Sequence, residues 1–162
     1  MKFIDQLKEK AKQNKKTIVL PETSDMRTIE AAGKVLAEGI ANIILVGDKE
    51  DIMSRAGDID LSGASFVDPK NYEKFDEYVD AFVEMRRKKG MTEARAKELL
   101  LTNPLYFGCM MVKQDDADGM VAGAINASAD VLRAALQTLK TAPGTRIVSA
   151  FFLVVVPDCQ YG

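Results

Sequence analysis

Three short apolar runs, KTIVLP at 16–21, ANIILVGD at 41–48 and ASFVDP at 64–69, alternate with segments of helical spacing. This alternation constrains the fold more than any other feature. Strands apolar on both faces need helices above and below them, and parallel neighbours need helical crossovers between them. The pattern therefore predicts an α/β fold with a helix-covered, mainly parallel sheet. Ahead of the first run, Phe3, Leu7 and Ala11 recur at helical spacing. After it, Thr23 or Ser24 is placed to cap a helix reaching about Ala37, which Gly39 stops. DKEDIMSRAG at 48–57 predicts a short helix, and Asp68 with Pro69 breaks the third strand.

Composition narrows the functional classes. A chain of 162 residues with 47% hydrophobic content can bury a full core without staples. Its cysteines, Cys109 and Cys159, lack CxxC spacing, and no charged-then-apolar leader begins the chain. A reducing cytoplasm is the resulting expectation. Histidine is absent, which removes His-based triads, HExxH metal sites and His general bases. A net charge of -2 weighs against nucleic-acid binding, which needs a concentrated basic surface.

Two segments carry chemistry. In the helix predicted from about Tyr72 to Lys89, Phe75, Val79 and Phe82 form an apolar stripe whose next position is Arg86. At ~100° per residue Arg86 lies about 20° from the direction of Phe75, whereas Arg87 lies about 120° away. Arg86 is expected to point inward or into a cleft, where its planar fork suits phosphate or carboxylate. The alternative is a solvated RRKK run favoured by the helix dipole and closed by Gly90.

The second segment, DADGMVAGAINASADVLRAALQTLK at 116–140, reads as a short strand, a small-residue turn and a helix carrying Arg133. Gly119 and Gly123 allow tight turns, and Ser128 is placed to cap the helix, leaving first-turn N–H groups for an anion. The competing reading is an ordinary strand-turn-helix in which Arg133 pairs with Asp130.

Between these segments, Thr92 is placed to cap a helix from Ala94 to Leu101, and Asn103 precedes a proline-started helix. Tyr106, Met110 and Met111 in that second helix read as core, and Cys109 has no cationic neighbour in sequence to activate it. At the other end, SAFFLVVVP at 149–157 predicts an apolar strand, too short for the ~20 residues that span a membrane. Its environment is expected to come from the earlier helices, from further chain or from a partner.

The motifs VLPE at 19–22, MRRKKGMT at 85–92, NPLYFGCMMV at 103–112, DADGMVAGAINASADVLRAALQ at 116–137 and SAFFLVVVPDCQYG at 149–162 together span nearly the whole chain. Taken together, they resemble the amino-terminal part of the phosphate acetyl/butyryl transferases. That resemblance implies two α/β domains with a cleft between them. It also implies reversible transfer of an acetyl group, or in the butyryl members a butyryl group, between phosphate and coenzyme A. Residues 1–148 would be a truncated first domain, and 149–162 a strand and the start of the second.

Within the resemblance, Arg86 and Arg133 take the catalytic positions, Arg87 is the neighbouring fallback, and Ser128 matches the small hydroxyl residue before the helix. Asn126 and Ala127 depart from the histidine- or serine-containing versions of that turn. Acetyl phosphate and coenzyme A would be substrates, with no metal and no tightly bound cofactor, in a cytoplasmic homodimer without nucleic-acid or membrane partners. The family's serine-arginine pair and thiol-activating aspartate would lie beyond Gly162, so residues 1–162 alone are expected to turn over little. The different-class alternative is a noncatalytic phosphate-binding or assembly fragment.

Overall fold

The computed structural model of the chain describes residues 3–151, 153–156 and 160. Helix α1 (Phe3–Gln13) leads into strand β1 (Thr17–Leu20), then α2 (Met26–Glu38), β2 (Asn42–Val46), α3 (Lys49–Ala56) and β3 (Ser65–Val67). After these come α4 (Phe75–Arg86), α5 (Glu93–Thr102), α6 (Pro104–Lys113), β4 (Gly119–Met120) and α7 (Ser128–Thr138). The four strands are parallel and lie in the order β3-β2-β1-β4, with Thr17 opposite Asn42, Ile44 opposite Ser65 and Ile18 opposite Gly119. The chain thus winds outward from β1 to β3 and then returns to the other side of β1. In such sheets the crevice where ligands bind opens at this reversal, outside the carboxyl ends of the two strands.

Alternation along the strands divides the core in two. On one face Val19, Ile44 and Val46 pack against an aromatic-rich layer that includes Tyr78, Phe82 and Phe107 from α4 and α6. On the other, Leu20, Ile43 and Leu45 meet Ile29 and Ala32 of α2 and Ile52 and Ala56 of α3. Helices on both faces are what near-continuous apolar strands require. Each fully buried aromatic contributes about 2 kcal/mol through lost apolar surface. Helix α6 lies so close to the sheet that a Cβ on Gly108 would stand 2.7 Å from the Met120 sulfur and 3.3 Å from Val19 Cγ1.

Several local expectations are corrected. Asp25, rather than Thr23 or Ser24, caps α2 by accepting from the Arg27 N–H at 2.8 Å. The Thr23 hydroxyl instead donates to the Val46 carbonyl at 2.6 Å, tying the ends of β1 and β2 together. Helix α4 begins at Phe75, not Tyr72, because Asp68 caps a separate 3-10 turn at Pro69–Asn71 and Tyr72 is extended. The two helices on either side of Asn103 form as expected, capped by Thr92 and Asn103.

The apolar run near the end forms no strand among its described residues 149–151 and 153–156, which are exposed; Phe152 and Pro157 lie outside the described set. The β4 edge of the sheet is only Gly119–Met120 long, and no described residue of the run joins the four-stranded ladder. Cys159 likewise lies outside the described residues.

Candidate functional site

The apolar stripe of α4 places its arginine as the spacing predicts. Val79 and Phe82 are fully buried, and Arg86 continues their face at the end of the helix. The Arg86 Nε is buried and has no hydrogen-bond partner among the described residues. A buried donor without an acceptor is costly, so this atom favours a site that an oxyanion completes. Arg87 turns outward, and its Nη2 lies 2.6 Å from Glu84 in an exposed ion pair.

Arg133 on α7 lines the same cleft as Arg86, a depression of about 420 Å³ that also takes in Lys89, Arg95, Tyr106 and Gln137. Four cationic side chains on one opening make it suited to a multiply charged anion. Among the described residues, Glu98 is the one acidic side chain on that lining. The Tyr106 hydroxyl donates to Gln137 Oε1 at 3.1 Å. Burial raises its pKa, and the Arg133 and Arg86 charges act against that rise. Arg133 Nη1 is hydrogen-bonded to Asp130, as the ordinary helical reading expects. Both side chains are about half exposed, and a pair of this kind contributes under about 1 kcal/mol, so an incoming phosphate competes for Arg133 at little cost.

The loop before α7 behaves differently from the sequence expectation. Its amides are already engaged by a carboxylate of the chain itself. Glu22 Oε2 accepts from the N–H groups of Gly123 and Ala124 at 2.6 and 2.7 Å, and Oε1 from those of Ile125 and Asn126 at 3.2 and 2.9 Å. The Asn126 Nδ2 adds a fifth bond at 2.7 Å. Gly123, at φ 109, supplies the backbone conformation that lets successive amides converge. The crevice between β1 and β4 therefore holds an internal anion where a phosphate was expected.

Burial of Glu22 acts to raise its pKa. The Asn126 donors and the Ala124 and Ile125 amides outweigh that and bring it down to about 2. Nor does Ser128 cap α7: the cap position is Ala127, no side chain bonds there, and Ser128 is the first helical residue. The structure thus gathers Arg86 with Arg133 and leaves Arg87 and Ser128 outside that lining. Cys109 is fully buried, and burial pushes its thiol pKa up against a hydrogen bond with Thr138, consistent with a core role.

Sequence reasoning missed Glu22 and the cleft partners Lys89, Arg95 and Gln137. For Glu22 the available signal was the PE pair ending β1, opposite a loop of small residues.

A parallel α/β domain with a strand-order reversal at β1 and an arginine-lined cleft among the helices of one sheet face is the class these features define. The family model described as phosphate acetyl/butaryl transferase matches residues 2–162, and the chain belongs to that family. The phosphate acetyltransferase of Acetivibrio thermocellus is 52% identical over all of this chain and 48% of its own length. That of Escherichia coli is 39% identical over 98% of this chain and 22% of its own length. Among solved structures, the EutD phosphotransacetylase from Staphylococcus aureus superposes with a TM-score of 0.79 at 38% identity, covering 89% of this chain and 44% of that one. A phosphotransacetylase from Streptococcus pyogenes gives 0.81 at 36% identity, covering 91% and 46%. The chain thus spans about half the length of the Acetivibrio thermocellus relative and about a fifth of the Escherichia coli one.

Proposed function

We propose that this chain supplies the phosphate-holding side of a phosphate acetyltransferase, which moves an acetyl group reversibly between acetyl phosphate and coenzyme A. The observation that carries the reading is the convergence of Arg86 and Arg133 on one cationic cleft, with the Arg86 Nε buried and unpartnered. In this reading the two guanidiniums bind the phosphoryl oxygens and oppose the charge that grows as the thiolate attacks the carbonyl and phosphate leaves. The cleft residues are assigned binding and charge stabilisation, and the removal of the thiol proton is assigned to none of them.

Arg87 and Ser128 take at most a supporting part, through the electrostatic field near the end of α4 and the start of α7. We place the enzyme in the cytoplasm as a homodimer. Among the described residues no helix is long and apolar enough to cross a membrane.

The test is acetyl-phosphate-dependent thioester formation by the full-length enzyme, combined with arginine modification by phenylglyoxal. Inorganic phosphate is expected to protect Arg86 and Arg133 from modification while Arg87 remains reactive. Modification of Arg86 and Arg133 at the same rate with and without phosphate would overturn the assignment. Running butyryl phosphate in parallel reads the acyl preference, with acetyl transfer expected to be faster.

A further inference from the structure

Glu22 stands just past β1 and is 2% exposed, yet it is bonded to four consecutive amides of a loop about a hundred residues later in the chain. A carboxylate offers about four lone-pair sites, so these amides and Asn126 Nδ2 saturate it and leave no capacity for a ligand proton. Its task is therefore internal.

The loop it holds runs directly into α7. Asn126 is followed by Ala127, whose carbonyl accepts from the Asp130 and Val131 N–H groups and opens the helix. No side chain caps that helix, so its starting position is set by what grips the loop. Arg27 adds a second grip, with Nη2 donating to the Ala124 carbonyl at 2.5 Å. Within the first turns of α7, Asp130 is bonded to Arg133.

We propose that Glu22 is a positioning residue for Arg133: by clamping residues 123–126 at the β1/β4 crevice it sets the start of α7 and the direction from which the Arg133 guanidinium enters the cationic cleft. This rests on the reading that Arg133 engages the phosphoryl group. An ordinary loop anchor would alter stability without any special dependence on Arg133, and this difference makes the proposal testable.

The experiment is a double-mutant cycle in the full-length enzyme, reading kcat and KM for acetyl phosphate in Glu22→Gln, Arg133→Ala and the double variant. Glutamine keeps the size of the side chain but has one acceptor oxygen, and its amide hydrogens face backbone donors. Glu22→Gln is expected to lower kcat/KM about tenfold, and Arg133→Ala about a hundredfold. The double variant is expected to be no slower than Arg133→Ala alone, because a displaced guanidinium has nothing further to lose once removed. Penalties that multiply to about a thousandfold would overturn the proposal.

Near-normal kinetics for Arg133→Ala would instead sink the reading of the cleft, so the two failures are distinguishable. Should Glu22→Gln not fold, Asn126→Ala removes one side-chain donor from the same carboxylate. A smaller loss that vanishes in the Arg133→Ala background supports the proposal, and a loss that persists there rejects it.

Discussion

A guanidinium with a buried, unpartnered Nε is under tension that a bound oxyanion relieves, and Arg86 is in that position. Among the described residues, Arg133 is paired with a half-exposed carboxylate on its own helix. Removal of either donor from a contact that strengthens as charge develops is expected to cost about 3 kcal/mol, or roughly a hundredfold in rate. Arg87, exposed and paired with Glu84, is expected to change kcat/KM by less than about threefold on replacement by alanine. Steady-state kinetics of Arg86→Ala, Arg87→Ala and Arg133→Ala check this ranking, and equal losses at all three would refute it.

Glu22 makes a separate residue-scale prediction. Its folded-state pKa of about 2 lies below its ordinary value of 4.5, so its ionised form stabilises the fold by about 3 kcal/mol at neutral pH. The sign follows from the depression: the contribution is complete above pH 4.5 and is lost as pH falls toward 2. Urea unfolding between those limits is expected to show a shallower pH dependence in Glu22→Gln than in the parent. Identical slopes would rule out the linkage.

At the scale of elements, the turn between α6 and β4 is pinned to α4 by Asp116. Its carboxylate accepts from the Tyr78 hydroxyl and from Lys74, and from the Tyr72 hydroxyl at 3.3 Å. Burial works to raise the Asp116 pKa, but these three partners dominate and lower it. Tyr78 is 1% exposed, so Asp116→Ala would leave its buried hydroxyl with only the longer contact to the Tyr72 hydroxyl at 3.3 Å among the described residues, and is expected to cost about 2 kcal/mol. Lys74 is more exposed, and Lys74→Met is expected to cost under about 1 kcal/mol. Denaturant midpoints measure both, and equal losses would show that the charge pair, not the tyrosine, dominates.

The elements differ in how plainly they were written in the sequence. Strands β1 and β2 were legible because consecutive runs of three and four apolar residues with β-branched members fit the inside of a covered sheet, and the two-residue apolar pair of β3 was marked by the Asp68–Pro69 break after it. Arg86 was legible because a helix has a fixed period, and one charged residue on an apolar stripe must go where the stripe goes. The cap of α2 was not: Thr23, Ser24 and Asp25 are all competent, and the bond from Thr23 to Val46 that decides among them joins two strands. Likewise the loop at 123–126 showed its donors locally, while its acceptor lies a hundred residues earlier and only the return of β4 beside β1 brings it near. The run at 149–157 had strand composition, but composition names no pairing partner, and among the described residues it has none.

At the scale of the whole chain, that run is where large apolar side chains meet water. From Ile147 to Val156 the described apolar side chains are largely open to water, Phe151 at 89%, Val154 at 76% and Leu153 at 62% exposed. Contiguous apolar surface of this kind is unusual on a soluble monomer and drives association until it is covered. Residues 1–162 in isolation are therefore expected to self-associate with rising concentration, and the triple variant Leu153→Ser, Val154→Ser, Val156→Ser to shift the population toward monomer. Sedimentation velocity over a hundredfold concentration range separates the two. The core clusters on both sheet faces use none of these three side chains, so the variant's unfolding midpoint should stay close to that of the parent. Self-association that survives the triple substitution would place the contact elsewhere, on the half-exposed Phe3, Ile4 and Leu7 of α1, whose helix buries no residue in this chain.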